Sequence, residues 1–260
     1  MDRMDFPFDI GAYLERIRYP GRPQLDLPSL QALHRQHSFH VPFENLDIHL
    51  GKTISLAPGS LFDKIVLKQR GGYCFELNGL FQLLLEALGF QVHSAAARVL
   101  FDSKEIPPRS HRILIVAMDG AEWLVDVGFG AYGLLEPIPL TAGIEHRQYM
   151  ETFKLAAHPT LGFVFQAKIH GQWVDQYGFT TEPHLPVDFT YPNYYHSHAS
   201  ESIFTQKKIC QLPTPEGRKR FVDHTLTLVA NGHTHKIEAA SADEYSRLLE
   251  THFAIKFPPP

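Results

Sequence analysis

Cys74, one of only two cysteines in 260 residues, lies in the stretch RGGYCFELN at 70–78. The two glycines before it remove side chains where the backbone must turn sharply and where a ligand can approach. Beyond it, Leu77, Leu80, Phe81, Leu84 and Leu88 recur at the spacing of a helix with one buried face. Gly89 then stands where such a helix needs a left-handed last residue. The pattern predicts a loop, a turn, Cys74 and a buried helix. A thiol at a helix N-terminus meets unpaired N–H groups and the positive end of the helix dipole, and both favour the thiolate. An inert core cysteine needs none of this. The chemistry indicated is nucleophilic.

A nucleophilic thiol also needs a base, and the base needs something to orient it. HRILIVAM and EWLVDVGF are two apolar runs separated by Asp119-Gly120, a strong two-residue hairpin signal. A turn centred there sets His111 opposite Gly128 and Ile113 opposite Asp126. His111 and Asp126 then lie diagonally on one face, roughly 7–8 Å apart between backbones. Their neighbours, Ile113 to Val116 and Leu124, Val125 and Val127, are all apolar, so an aspartate there needs a partner. The natural partner is the ring N–H of His111, which leaves the other nitrogen for Cys74. A Cys74–His111–Asp126 triad is the expectation, with the distance to Cys74 left open by the sequence.

The elements that must carry these residues change character along the chain. Residues 1–90 read as mainly helical. DIGAYLERIR has an Asp9 cap and a face of Ile10, Tyr13, Leu14 and Ile17; further helices are expected over 27–37 and 61–66. Residues 91–190 hold short β-rich runs split by Gly, Pro and Asp, a meander or barrel pattern. Residues 191–260 contain a hairpin turning on Asn231-Gly232 and a helix near 242–249. The closing PPP reads as a frayed end.

Composition excludes several classes. The chain is 44% hydrophobic, and Lys+Arg 24 against Asp+Glu 28 gives −4, with no basic cluster. Nucleic acid and anionic membrane are not expected partners. MDRMDFPFDI is not a secretory signal, and LFQLLLEALGF, the most apolar run, is too short to span a membrane and carries Glu86. Two cysteines make no disulfide framework, and a free Cys74 suits the cytoplasm. His196/His198 and His233/His235 form two H-x-H pairs, which on strands would point both rings one way. They lack acidic or Cys partners, so no metal is expected.

With these residues in view, the chain resembles the arylamine N-acetyltransferases of the short bacterial type. RGGYCFELN is similar to their RGGxCFExN nucleophile signature, HVPFENL at 40–46 to H-x-P-F-E-N-L, and DVGFG at 126–130 to the acid-bearing strand. AYLERI resembles the opening helix. Asn193, Ser197, Ser202 and Phe204 keep N-x-x-x-S with S-x-F. HASE at 198–201 departs from the family, where a proline is usual, and the C-terminal region is short.

The resemblance implies an α+β, cysteine-proteinase-like fold: an N-terminal helical bundle (1–90), a central β-barrel (91–190) and a C-terminal α/β lid (191–260). It implies ping-pong acetyl transfer from acetyl-CoA, through an acetyl-cysteine, to aromatic amines, hydrazines or hydroxylamines. Phe43, Phe129 and Phe204 match positions lining the acceptor pocket, and Val99 and Ser110 positions near the acyl group. On residue type alone each phenylalanine serves a core equally well. Gly128, opposite His111, is expected to leave room for substrate. Arg70 and Glu44 are expected to pair and order the Cys74 loop. The rival readings are a biosynthetic amide-forming acyltransferase and a non-catalytic binder of CoA or aromatic ligands.

Overall fold

Helices begin where an aspartate supplies an acceptor to the first turn. Asp9 Oδ1 accepts from the Ala12 N–H at 3.0 Å and starts α1 (Ile10–Arg16); Asp26 Oδ1 accepts from Ser29 at 2.8 Å and starts α2 (Leu27–His40). These come from a computed structural model that describes residues 6–130 and 132–257. The first five residues, half of the stretch read as lacking a signal, and the terminal PPP lie outside the described residues.

The chain continues through β1 (Phe43–Glu44), α3 (Leu46–His49), α4 (Pro58–Phe62) and one π-helical turn at Asp63–Leu67, then enters α5 (Cys74–Ala87). Helix α5 is apolar almost all round. Leu77, Leu80, Phe81, Leu84 and Leu85 are fully buried, each worth on the order of 1.5–3 kcal/mol.

An antiparallel sheet follows: β2 (Gln91–Val99), β3 (His111–Met118), β4 (Ala121–Val125), β5 (Ile138–Pro139), β6 (His146–Gln148), β7 (Glu151–His158), β8 (Gly162–Ile169) and β9 (Gln172–Phe179). The spatial order is β5-β4-β3-β2-β9-β8-β7-β6. Near the two sheet ends the Gly143 N–H donates to the Leu155 carbonyl at 2.7 Å, which draws the sheet into a nearly closed barrel. Alternation sorts its residues. Ala95, Ile113, Ile115, Leu124, Phe165 and Tyr177 fill the barrel, while Ala96, Leu114, Val116 and Val125 pack toward α5.

A 3₁₀ turn at Pro186–Phe189 leads into α6 (Thr190–His198) and α7 (Ile203–Gln206). Four strands then form a meander: β10 (Ile209–Thr214), β11 (Gly217–Val222), β12 (Thr225–Ala230) and β13 (His233–Glu238). Helix α8 (Ala242–Phe253) covers it through Tyr245, Leu248, Leu249 and Phe253. The hairpin turns on Asn231-Gly232 as expected, both residues at positive φ. Strand β1 joins this sheet by pairing with β10, so part of HVPFENL belongs to it.

The two H-x-H pairs lie on different kinds of element, His233 and His235 on β13. His196 and His198 lie on α6, not a strand, where successive residues turn about 100° and the two rings diverge. The α+β plan of helices, barrel and α/β lid otherwise stands as expected. Among the described residues no helix is long and apolar enough to cross a membrane.

Candidate active site

Cys74 is the first residue of α5 and is 4% exposed. Two devices hold the preceding loop. Glu76 Oε2 accepts from the Tyr73 N–H at 3.1 Å, capping the helix from its third position. Beneath it, Arg70 reaches Glu44 Oε1 with two nitrogens, at 2.7 and 3.0 Å, and Asp47 at 3.1 Å. Lys64 bridges Asp47 (3.0 Å) and Glu76 (2.7 Å), and the Leu46 N–H donates to Glu44 Oε2. The expected Arg70–Glu44 pair is thus part of a larger charge network, which exposed Lys52 joins 3.6 Å from Asp47. Gly71 is needed because a Cβ there would stand 1.9 Å from the Pro42 carbonyl oxygen.

His111 opens β3. The Asp119-Gly120 turn has both residues at positive φ, and the ladder runs from Met118↔Ala121 to Leu114↔Val125, the expected register. It stops one residue short of Asp126, because side chains from two helices take the next backbone donors. The Asp126 N–H donates to His34 Nε2 (3.2 Å) and the Val127 N–H to Asn78 Oδ1 (3.0 Å). His111 Nε2–H donates to Asp126 Oδ2 at 2.7 Å. Asp126 Oδ1 accepts from Asn78 Nδ2 (2.8 Å) and from the Gly128 N–H (2.9 Å). Cys74 lies beside His111, near enough to help raise the pKa of its imidazole. Cys74, His111 and Asp126 therefore meet, all nearly or fully buried.

Burial alone would depress the His111 pKa. The hydrogen-bonded Asp126 carboxylate, with a smaller contribution from Cys74, outweighs it and pushes the value up to about 10. Burial likewise opposes ionisation of Asp126, but His111, Asn78 and the Gly128 amide hold its carboxyl below the usual range. His34, buried beside Asp126, is brought down to about 4 by burial, so it is neutral and its Nε2 can accept.

The other expected residues surround this group. Phe129 lies edge-on to His111 with centroids 5.2 Å apart, and Tyr177, the strand partner of Val99, is 5.1 Å from His111. Phe43 and Phe204 contact each other at 6.0 Å, and Phe204 packs on Tyr73 at 5.6 Å. Phe43 and Phe129 border a space of only about 30 Å³, little more than one water. A larger cavity, about 370 Å³, adjoins His111 and is bordered by Phe75, Ala96, Arg109, His184, Phe189 and Tyr191. Another, about 790 Å³ beside Arg16, His40 and Lys219, contains none of the triad.

Gly128 also permits a close approach that its register did not suggest. A Cβ there would stand 2.8 Å from Asn78 Nδ2 and 3.0 Å from Cys74 Cα, so the glycine lets the Asp126 loop lie against the start of α5. Gly128→Ala is expected to cost about 1–3 kcal/mol and to lower kcat with it, measured by urea unfolding beside steady-state kinetics.

The sequence reading missed His34, Asn78 and the Asp47–Lys64–Glu76 part of the network. Asn78 carried a signal, since it follows Cys74 by four residues and so shares its helix face. His34 carried none, because its contact depends on how α2 packs against the segment after β4.

Residues 26–259 match the family model described as N-acetyltransferase. The chain is 36% identical over 253 residues to the arylamine N-acetyltransferase of Mycolicibacterium smegmatis, covering 95% of this chain and 92% of that one. It is 30% identical to the arylamine N-acetyltransferase / N-hydroxyarylamine O-acetyltransferase of Salmonella typhimurium, covering 95% and 88%. The structure of the Mycobacterium marinum arylamine N-acetyltransferase in complex with CoA superposes with a TM-score of 0.90 at 31% identity, covering 95% and 93%. Likeness of this extent spans the helices, the barrel and the lid alike, and this chain belongs to the arylamine N-acetyltransferase family.

Proposed function

We propose that this protein transfers an acetyl group from acetyl-CoA to aromatic amines, hydrazines and hydroxylamines, with Cys74 as nucleophile, His111 as general base and acid, and Asp126 as its anchor. The observation that carries the assignment is His111 held at 2.7 Å by Asp126, with Cys74 beside the same ring at the first position of α5.

His111 takes the thiol proton, and the Cys74 sulfur attacks the thioester carbonyl. The carbon–sulfur bond to CoA breaks, and CoA leaves with a proton from His111. The amine then attacks the acetyl-cysteine, surrenders a proton to His111, and expels the Cys74 sulfur. The first-turn N–H groups of Cys74 and Phe75, which have no intrahelical partner, are suited to the oxyanion. The cavity of about 370 Å³ beside His111 offers space for a substrate. Phe75 and Phe189 are its apolar walls, Phe43, Phe129 and Phe204 pack around Tyr73 and His111, and Val99 and Ser110 flank the triad strand, so water that would hydrolyse the acetyl-enzyme is kept out. Both cysteines are free, which suits the reducing cytoplasm.

Mass spectrometry of the protein mixed with acetyl-CoA and no amine tests this. One added acetyl on Cys74, absent in Cys74→Ala and discharged by an arylamine as its acetamide, is the expected result. Loading only by longer acyl-CoAs would favour a biosynthetic acyltransferase, and no loading would overturn the transferase reading.

A further inference from the structure

His196 has hydrogen-bonding capacity to spare beside the triad. It projects from α6, and its Nε2–H donates to the Ser110 carbonyl at 3.1 Å, one residue before His111. Its ring lies 5.9 Å from that of Phe75, the residue after Cys74, and 5.2 Å from that of Phe204. The helix is anchored close by, where the Tyr73 hydroxyl donates to the Asn193 side chain and Asn193 Nδ2 donates to the Ile54 carbonyl at 3.0 Å. His196 is thus tied from α6 to the neighbours of both Cys74 and His111, near enough for His111 to influence its ring. Its Nδ1 is buried and has no partner among the described residues. With the proton on Nε2, that nitrogen carries a lone pair. Burial holds its pKa below the ordinary value despite the Ser110 bond, and the ring is neutral at neutral pH. An unpaired buried acceptor carries a free-energy penalty unless something fills it.

A primary amine attacking an acetyl-cysteine presents its nitrogen lone pair to the carbonyl carbon. One of its hydrogens passes to His111 as the carbon–nitrogen bond forms and the carbon–sulfur bond breaks. The second N–H stays on the product, and among aromatic walls it too needs an acceptor. We propose that His196 Nδ1 accepts this second N–H, aligning the amine for attack and favouring primary over N-alkylated amines. This rests on the acetyl-transfer reading above.

The two half-reactions separate the possibilities. Wild type, His196→Phe and His196→Gln are loaded with acetyl-CoA, and discharge is followed by stopped flow with 4-methoxyaniline and with its N-methyl derivative. His196→Phe keeps the ring in the aromatic packing but loses the acceptor; discharge by the primary amine should fall about tenfold while loading changes by less than about twofold. The secondary amine has a single N–H, so its rate should change little and the preference for the primary amine should collapse. His196→Gln, which can still donate to Ser110 and still accept, should recover most of the loss. Parallel loss of loading and discharge, equal loss with both amines, or no change at all would each overturn the proposal. If wild type fails to load, the transferase reading fails first and takes this proposal with it.

Discussion

Asp126→Asn should lower kcat by roughly 10³–10⁴-fold while leaving the fold intact, as loss of the orienting carboxylate does in other triads. The reason lies in how many donors converge on this side chain. Oδ1 accepts from Asn78 and from the Gly128 amide, and Oδ2 accepts from His111. An asparagine has one acceptor. If its oxygen keeps Asn78 and Gly128, its NH₂ faces His111 Nε2, and the imidazole proton must move to Nδ1. The nitrogen that should take the Cys74 proton is then a donor. If the amide flips, its NH₂ meets two donors instead. The flip would keep the His111 tautomer only by setting the NH₂ against both Asn78 and Gly128, so the first arrangement is favoured and the base is lost.

The same substitution should change how stability responds to pH. His111 is pushed up to about 10 from an ordinary 6.5. Its contribution to stability is therefore complete below pH 6.5 and is lost as pH rises toward 10. Asp126, held low, contributes above its ordinary 3.8 and loses that contribution only in acid. Wild-type Tm should fall between pH 7 and 10, and Asp126→Asn should flatten that slope. Scanning calorimetry across this range, beside steady-state acetylation rates, checks both effects. A kcat within about tenfold of wild type would show that Asp126 does not set the tautomer.

What could be read from the chain beforehand was what local patterns encode. Asp119-Gly120 set the hairpin register because only a two-residue turn with both φ positive fits it, and that register carries His111 toward Asp126. The buried face of α5 follows from its apolar period. What escaped depends on tertiary packing. The helix cap at Glu76 was hidden because Tyr73, not Ser or Thr, precedes the helix, so the usual capping pattern is absent. The pairing of β1 with β10 joins segments more than a hundred residues apart, and two residues of strand leave no periodic trace. The H-x-H at 196–198 gives no local choice between strand and helix. The neighbours of α6 decide that, and with it where His196 points.

Arg70→Met should cost about 3–5 kcal/mol, more than any surface charge, because it breaks a buried network by removing one sign only. Arg70 and Lys64, with exposed Lys52 3.6 Å from Asp47, balance Glu44, Asp47 and Glu76, and the Arg70 and Glu44 side chains are 11% and 0% exposed. Without the guanidinium, Lys64 faces three carboxylates. Glu44 would lose both of its donors from Arg70 and keep only the Leu46 N–H. Arg70→Lys should recover part of the loss, since one ammonium restores the charge but cannot meet Glu44 with two nitrogens while also reaching Asp47. The deficit has a sign in pH. Unpaired buried carboxylates have raised folded-state pKa values, which give stability at low pH that is lost as pH rises. The gap between Arg70→Met and wild type, read from urea midpoints, should therefore narrow from pH 7 to pH 5. A gap that stayed constant would mean that the cost comes from lost packing of the arginine stem. Since Gly71, Gly72 and Tyr73 connect this network directly to Cys74, the variant should load acetyl groups slowly even where it remains folded.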